Sequence, residues 1–433
     1  SSSSSSSSSS LTFTSQSLPS LRYRQQMEIE GEKWNDRTTD TNDVKELFSR
    51  VRPNSPIPND IINRAQFLCA QYLGGSWKNA SRDRFTMKQI TGGMSNLLFL
   101  VELCPSLELI HSEPRRALLR IHCQADIDQL LSESVVFTLL SERSLGPRLL
   151  GVFPGGRFEQ FIPSRPLQCL EISDFKFIDK ISPMLARVHS LDVPVGKEPQ
   201  MINQARAWLD NWSKYDGSSK GIDMKVTKAD VHSSKFPSHI TLEDLHSELD
   251  FVEKFFESIK SPIVFSHNDM QEGNILLIDR DSSEDKDDEL ALIDFEYCNY
   301  NYRGFDLGNH MCEYGLDYAT DEAPYYKIYP DKLRVKEERR AFCEGYMNEL
   351  YYLHSNGFRL PSDIITGDKT ADLNKLELEA SLFMPISHLF WTCWSFVNAE
   401  QSSIAFGYAE YGRDRLAMYF DRKDELIEYM STH

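Results

Sequence analysis

Three polar residues draw attention by where they sit. In "VFSHNDMQEGNILLI" (264–278) an acid, Asp269, and a carboxamide, Asn274, lie five residues apart between two apolar stretches. A second acid, Asp294, ends the apolar run of "LALIDFEY", 25 residues after the first. A chain that ends a strand at Phe265 and resumes one at Ile275 crowds these groups into a loop on a rigid scaffold, where side chains reach a cleft. The spacing suits phosphoryl transfer. Asp269 would accept or orient the proton of an attacking hydroxyl, and Asn274 would hold Mg²⁺. Asp294, at a strand end, would bridge the same ion to nucleotide phosphates, because hard Mg²⁺ takes few carboxylates plus phosphate oxygens. Each residue has a plainer alternative. Asp269 and Asn274 can satisfy backbone donors in an Asx-type loop, and Asp294 can simply end a strand. All three in this order favour the catalytic reading.

The segments ahead of this loop offer what such a site lacks. "FTMKQITGGMSNLLFLVEL" reads as strand, turn, strand, with Gly92-Gly93 at the turn. Its backbone N–H groups and the Ser95 or Asn96 side chains can fold over phosphates, although an ordinary hairpin has the same text. "RALLRIHC" is a third strand carrying Arg120, where protein kinases carry Lys, and Glu133 follows in the helical stretch Ala125–Ser144. An Arg120–Glu133 pair aimed at phosphates, which Arg binds bidentately, stands beside a plain surface ion pair. "RLLGVF" and "GRFEQFI" make a hairpin around Pro154-Gly155-Gly156, and the backbone at Gln160 and Ile162 then faces an adenine ring. Two apolar residues, Asp and Phe are also the form of the protein-kinase metal-binding segment, with Glu296 here where a glycine usually stands.

A chain of 433 residues is expected to fold as two lobes. Residues 1–43, opening on ten serines, read as a disordered tail. Residues 44–165 form a strand-rich N-lobe and 166–433 a mainly helical C-lobe, with periodic segments near 171–191, 201–214 and 242–260 and from Phe305 onward. The acidic "DRDSSEDKDDE" (279–289) is a solvated hairpin tip. The net charge of −18, from 47 basic and 65 acidic residues, excludes nucleic acid as a partner. Eight scattered cysteines without CxxC pairing indicate free thiols and a cytoplasmic location. Ala380–Ala399 carries no formal charge, yet Ser381, Pro385, Ser387, His388 and Asn398 make it a buried core helix rather than a membrane span. The motifs at Asn79 and Asn211 are chance matches to the glycosylation pattern.

"SHNDMQEGNILL" followed by "LIDFEYCNYNYRGFDLGNHMCEY" resembles the choline/ethanolamine kinase family. So do "ERSLGPRLLGVFPGGRFEQFIPSRPL" and "SHLFWTCWS…SSIAFGYAEYGRDR", and the resemblance spans about residues 55–425. It implies an α+β, bilobal protein-kinase-like fold, use of ATP and Mg²⁺, and a homodimer. It makes Asp269 the base, Asn274 and Asp294 magnesium ligands, and Arg120, Gln160 and Ile162 ATP contacts.

Substrate chemistry agrees with this independently. A quaternary ammonium has no N–H to donate, so aromatic faces and a carboxylate must recognise it. Trp391 and Trp394 lie at i, i+3 on one helix side; Phe406, Tyr408 and Tyr411 follow, with Tyr297, Glu313 and Tyr318 upstream. Read alone, the two tryptophans are core residues; read with the family, they line the amine pocket. "FGYAEY" is closer to the choline type, while Tyr314, where choline-type members often have Trp, bears on the width of that pocket. The expectation is ATP-dependent phosphorylation of choline. Ethanolamine kinase and a catalytically inactive kinase-like binding protein are the alternatives. A metal-dependent hydrolase would need a second His ligand near His267.

Overall fold

The computed structural model describes residues 41–51, 55–90, 96–122, 127–279 and 288–433, with the side chains of 41–43, 96 and 127–132 outside the description. The serine-rich tail through residue 40, the turn holding Gly92, Gly93 and Ser95, the Asn96 side chain and most of the acidic tip therefore lie outside the described residues. Helix α1 (Thr41–Phe48) begins within the stretch read as tail.

After α2 (Asn59–Tyr72) come β1 (Phe85–Ile90), β2 (Asn96–Leu103) and β3 (Arg116–His122), then α3 (Ile127–Glu142), β4 (Leu149–Phe153) and β5 (Gly156–Gln160). These five strands form one antiparallel sheet in the order β1-β2-β3-β5-β4. The side-chain period of two sorts its faces. Ala117, Leu119 and Ile121 are buried with Phe99, Val101, Phe48, Ile61 and Trp77. The same alternation turns Arg120 to the opposite face, toward the cleft.

Strand β6 (Ser164–Pro166) carries the chain into the second lobe, where α4 (Cys169–Ile172), α5 (Phe175–His189), α6 (Met201–Trp212) and α7 (Asp216–Lys220) follow. The pair β7 (Ile222–Asp223) and β8 (His239–Ile240) spans the polar stretch after α6, and α8 (Leu242–Ile259) leads to β9 (Ile263–Ser266). Next come β10 (Ile275–Ile278), β11 (Leu290–Leu292), β12 (Asn299–Tyr302) and α9 (Arg303–Glu313). The chain ends with β13 (Leu316–Asp317), β14 (Lys327–Ile328), α10 (Pro330–Leu333), α11 (Lys336–Ser355), α12 (Lys369–Gln401) and α13 (Tyr408–Thr432). β10 pairs with both β11 and β6. Strand β12, which the sequence pattern does not announce, pairs with β9.

Two helices organise this lobe. In α12 every residue from Leu382 to Cys393 is buried, so the charge-free stretch is a core helix packed by α6, α9, α11 and α13. Among the described residues no helix is long and apolar enough to cross a membrane. In α9 all eleven residues are buried. Arg303, at its start, makes a bidentate pair with Glu379 of α12 (2.7 and 3.0 Å), which satisfies two charges that would be costly to bury alone.

Candidate active site

The polar loop between β9 and β10 is held by α9 from behind. Asp306, Asn309, His310 and Glu313 recur at i, i+3, i+4 and i+7, a polar stripe on one side of a wholly buried helix. Asp306 accepts the backbone N–H groups of His267 (2.7 Å) and Asn268 (2.9 Å), and His189 of α5 donates to it at 3.0 Å. Asn309 donates to the Asn268 carbonyl (3.2 Å), and His310 Nδ1 donates to the Met270 carbonyl (2.7 Å). A loop buried between two strands needs partners for such groups, and the stripe supplies them. Burial opposes ionisation of Asp306, yet the hydrogen bond from His189 and the nearby His267 hold its carboxyl below the usual value. Burial likewise holds His310 down at about 4, so the ring is neutral.

Asn268 takes the left-handed conformation (φ 66°), rare for a residue other than glycine, and β12 braces it. Its amide donates to the Tyr297 carbonyl (2.9 Å) and Asn299 (3.1 Å), and it accepts from Asn301 (2.8 Å). His267 joins the two acidic segments. Its Nδ1 accepts the Asp269 N–H (3.3 Å), and its Nε2 donates to the Ile293 carbonyl (3.1 Å), next to Asp294. Burial keeps this ring neutral, and both nitrogens are engaged, so His267 positions the loop and is no free metal ligand.

Asp269 and Asn274 meet as the spacing implies. The Asn274 amide donates to the Asp269 carbonyl (2.9 Å) and to Asp269 Oδ2 (2.8 Å), so that among the described residues Asp269 Oδ1 and Asn274 Oδ1 are open acceptors. Asp294 follows β11 at φ 63°, the second left-handed residue of the site, and Ile293 N–H bonds the Asn274 carbonyl (3.0 Å). Burial first, then Asp294, Glu313 and Glu296, push the Asp269 carboxyl well above its ordinary value. Four acids thus share one field. With Asp294 and Asn274 offering hard oxygen donors, the set suits a hard divalent cation that would offset that charge.

From the N-lobe, Arg120 enters the same field. Burial works against its charge, but Glu159, Asp294 and Glu296 outweigh this and hold the guanidinium above its ordinary value. The Arg120–Glu133 pair expected from sequence is not the one formed. Arg120 Nε donates to Glu159 (2.7 Å), which also holds Arg157 (2.7 Å), and Glu133 lies 3.6 Å from Arg157. Register explains it: β5 lies beside β3 with Arg157 opposite Arg120, and Glu159, two residues on, shares that face. Gln160 is tied into its hairpin, its N–H on the Arg148 carbonyl (2.8 Å) and its Oε1 on the Arg148 N–H (3.1 Å). The Ile162 carbonyl accepts from Ser164 (2.8 Å).

The aromatic residues close into a run of touching rings. Tyr297 meets Trp391 (5.5 Å), Trp391 meets Trp394 (5.6 Å), and Trp394 meets Tyr408 (5.4 Å). Phe406 links Tyr408 (4.9 Å) to Tyr411 (5.5 Å), and Tyr411 meets Tyr318 (6.0 Å). Glu313 sits at the base of this run. Tyr318 donates to it (2.9 Å) and Arg415 approaches at 3.5 Å. Burial raises the Glu313 carboxyl above its ordinary value despite both. Arg415 also bonds Tyr411 (2.8 Å) and Ser387 (2.9 Å). Ser387 and Trp391 Nε1 both donate to Asn309 Oδ1 at 2.7 Å. One hydrogen-bonded seam therefore runs from the loop at Asn268, through Asn309 and Ser387, to Arg415 and Glu313.

Several members of this site were missed in the sequence. Asp306, Asn309 and His310 had a readable signal, their helical polar spacing. Arg415, Ser387 and Trp208, whose ring lies 6.3 Å from Trp391 and 6.4 Å from Tyr297, had none. Tyr314 is a core residue, buried against His310 (5.3 Å) in the cluster that holds Phe342 and Cys343 of α11, and is outside the run of touching rings.

A five-stranded lobe over a helical lobe, with an Asp–Asn loop and a strand-end Asp beneath the cleft, defines a protein-kinase-like phosphotransferase. The sequence profile of choline/ethanolamine kinases matches residues 87–420, and the chain belongs to that family. It is 38% identical over 415 residues to choline kinase A2 of Caenorhabditis elegans, covering 90% of this chain and 92% of that one. It is 37% identical over 386 residues to human choline/ethanolamine kinase, covering 88% and 91%. Among solved structures, a choline kinase of Cryptosporidium parvum superposes with a TM-score of 0.63 at 24% identity, covering 85% of this chain and 96% of that one. An ethanolamine kinase of Plasmodium vivax gives 0.61 at 20%, covering 90% and 96%. These two likenesses establish the fold.

Proposed function

We propose that the protein is an ATP- and Mg²⁺-dependent choline kinase, which makes phosphocholine as the first step toward phosphatidylcholine. The observation that carries this reading is the seam joining Asp269's loop to Glu313 and its aromatic wall. It couples an alcohol-activating carboxylate to a pocket suited to a trimethylammonium group. Trp391 Nε1 donates to Asn309, and the Tyr318 and Tyr411 hydroxyls are held by Glu313, Arg415 and each other, so the wall presents chiefly ring faces, the surface that receives a quaternary ammonium.

In this reading Asp269 Oδ1 orients the choline hydroxyl and takes its proton, while Asn274 fixes the other oxygen. Asp294 and Asn274 Oδ1 would hold Mg²⁺, which supplies charge neutralisation at the phosphate oxygens when bound. Arg120, kept in place by Glu159, faces the transferring group, and Glu313 with Tyr297, Trp391, Trp394, Tyr408 and Tyr411 receives the cation. Gly92, Gly93, Ser95, Asn96 and Glu133 are assigned to the phosphate side, Gln160 and Ile162 to the adenine side, and ATP to the cleft between residues 44–165 and 166–433. We also assign a cytoplasmic location and a homodimer.

Steady-state kinetics with choline and ethanolamine test the reading. A higher kcat/KM for choline is expected. A higher value for ethanolamine would reassign the substrate, and no phosphorylated product from either alcohol would support a binding protein instead.

A further inference from the structure

Between α9, α11 and α12 lies a cavity of about 160 Å³, lined by Met311, Lys336, Arg339, Arg340, Glu377 and Ser381 among others. Its charges are unevenly matched. Arg340 is paired with Glu344 (3.0 Å) and Glu377 (2.8 Å), and Arg422, at the Ser381 side, with Glu425 (2.6 Å). Lys336 and Arg339 have no carboxylate within ion-pair distance among the described residues. Arg339 is half-buried, and its partners are the Val335 carbonyl (2.9 Å) and the Met384 sulfur (3.2 Å). Arg422 reaches the same sulfur at 3.4 Å. Two guanidinium groups thus converge on a weak, neutral acceptor; Glu425 completes Arg422, and Arg339 is the one left without an anion among the described residues. Burial, then the like charge of Arg422, pull the Arg339 guanidinium below its ordinary value.

We infer that this cavity is a binding site for a small phosphate-bearing anion, held by Lys336 and Arg339 with Arg340 and Arg422 at its margins. Arg339 and Lys336 bring a planar fork and an ammonium that no carboxylate neutralises among the described residues, and phosphate offers several oxygens in the geometry that Arg binds bidentately. In a chain of net charge −18, an open basic cavity also selects small anions over extended acidic partners, which the surrounding surface would repel. Met311, in its lining, is two residues from Glu313, so the site backs onto the amine pocket through a single helix.

The test is calorimetric titration of the full chain with inorganic phosphate, repeated with sulfate and citrate at ionic strength held constant with chloride. Saturable binding of phosphate is expected, weakened about tenfold or more in Arg339→Gln through loss of a charge-assisted hydrogen bond. Lys336→Ala, at an exposed position, should weaken it as well and serves if Arg339→Gln fails to fold. Arg339→Lys should recover part of the affinity. Phosphate binding equal in wild type and both variants would overturn the inference, because it would assign the anion to the cleft. Tighter binding of citrate than phosphate, lost in the same variants, would overturn the phosphate assignment.

Discussion

Asp306→Asn keeps the side-chain volume and removes the charge that three donors share. One amide oxygen must then serve donors that now use both carboxylate oxygens: His267 N–H and His189 at Oδ2, Asn268 N–H at Oδ1. The least costly orientation turns the new NH₂ toward Asn268 N–H, which leaves that donor unpaired at about 1–3 kcal/mol. The other two bonds fall from charge-assisted to neutral, about 1 kcal/mol each. The sum, about 3–5 kcal/mol, agrees with the usual loss when one partner of a buried pair is removed. Asn268 keeps its left-handed backbone only while its surroundings enforce it, so Asp269 shifts and kcat falls by about 100-fold. Choline KM should change little, because Glu313 and the rings are untouched. Urea unfolding with steady-state kinetics measures both effects. The wild-type Asp306 carboxyl is held below its ordinary value, so its stabilisation is complete above about pH 4 and is lost as pH falls through the folded value. The stability gap between wild type and variant should therefore narrow in acid. An unfolding free energy within about 1 kcal/mol of wild type, with kcat nearly unchanged, would refute this account of the loop.

Three further outcomes are expected. Asp269→Ala should lower kcat by about 100- to 10,000-fold with an unaltered circular dichroism spectrum; retained turnover removes Asp269 from the role of base. Trp394→Ala should raise choline KM by about 3- to 30-fold, the range of a cation–π contact, while ATP KM stays within about twofold; equal effects on both would assign Trp394 to packing. Arg415→Met deprives the buried Glu313 of a charge 3.5 Å away, worth up to about 5 kcal/mol at an effective dielectric of 20. The carboxyl, already raised by burial, would then protonate at higher pH. Choline KM in this variant should rise as pH falls and begin to do so at a higher pH than in wild type, and coincident profiles would break the link between Arg415 and Glu313.

The local parts of this site were legible because local spacing decides them. Asp269 and Asn274 share one tight turn, Asp294 ends a strand, and the period of two turns Arg120 away from the N-lobe core. The aromatic residues were grouped only through the family resemblance, since by themselves Trp391 and Trp394 read as core; the structure shows their rings in contact. The Arg120 partner was misread because Glu133 is nearer in sequence, whereas Glu159 is nearer in space through strand register. Strand β12 escaped notice because its alternation, "NYNY", is only four residues long; its tyrosines pack toward hydrophobic clusters while its asparagines brace Asn268.

Taken by itself, the sequence determined which groups are available, their order along the chain, and the two-lobed division of strands and helices. Hydrophobic period, turn residues and the valence of each side chain are local properties, and they need no distant partner. The tertiary structure alone decided how those groups are held. Asp306 reaches His189, 117 residues away, and Arg415 reaches Glu313 across 102. Buried polar groups must find partners wherever packing brings them, and in this chain the packing of α9 against α12 and α13 makes that choice.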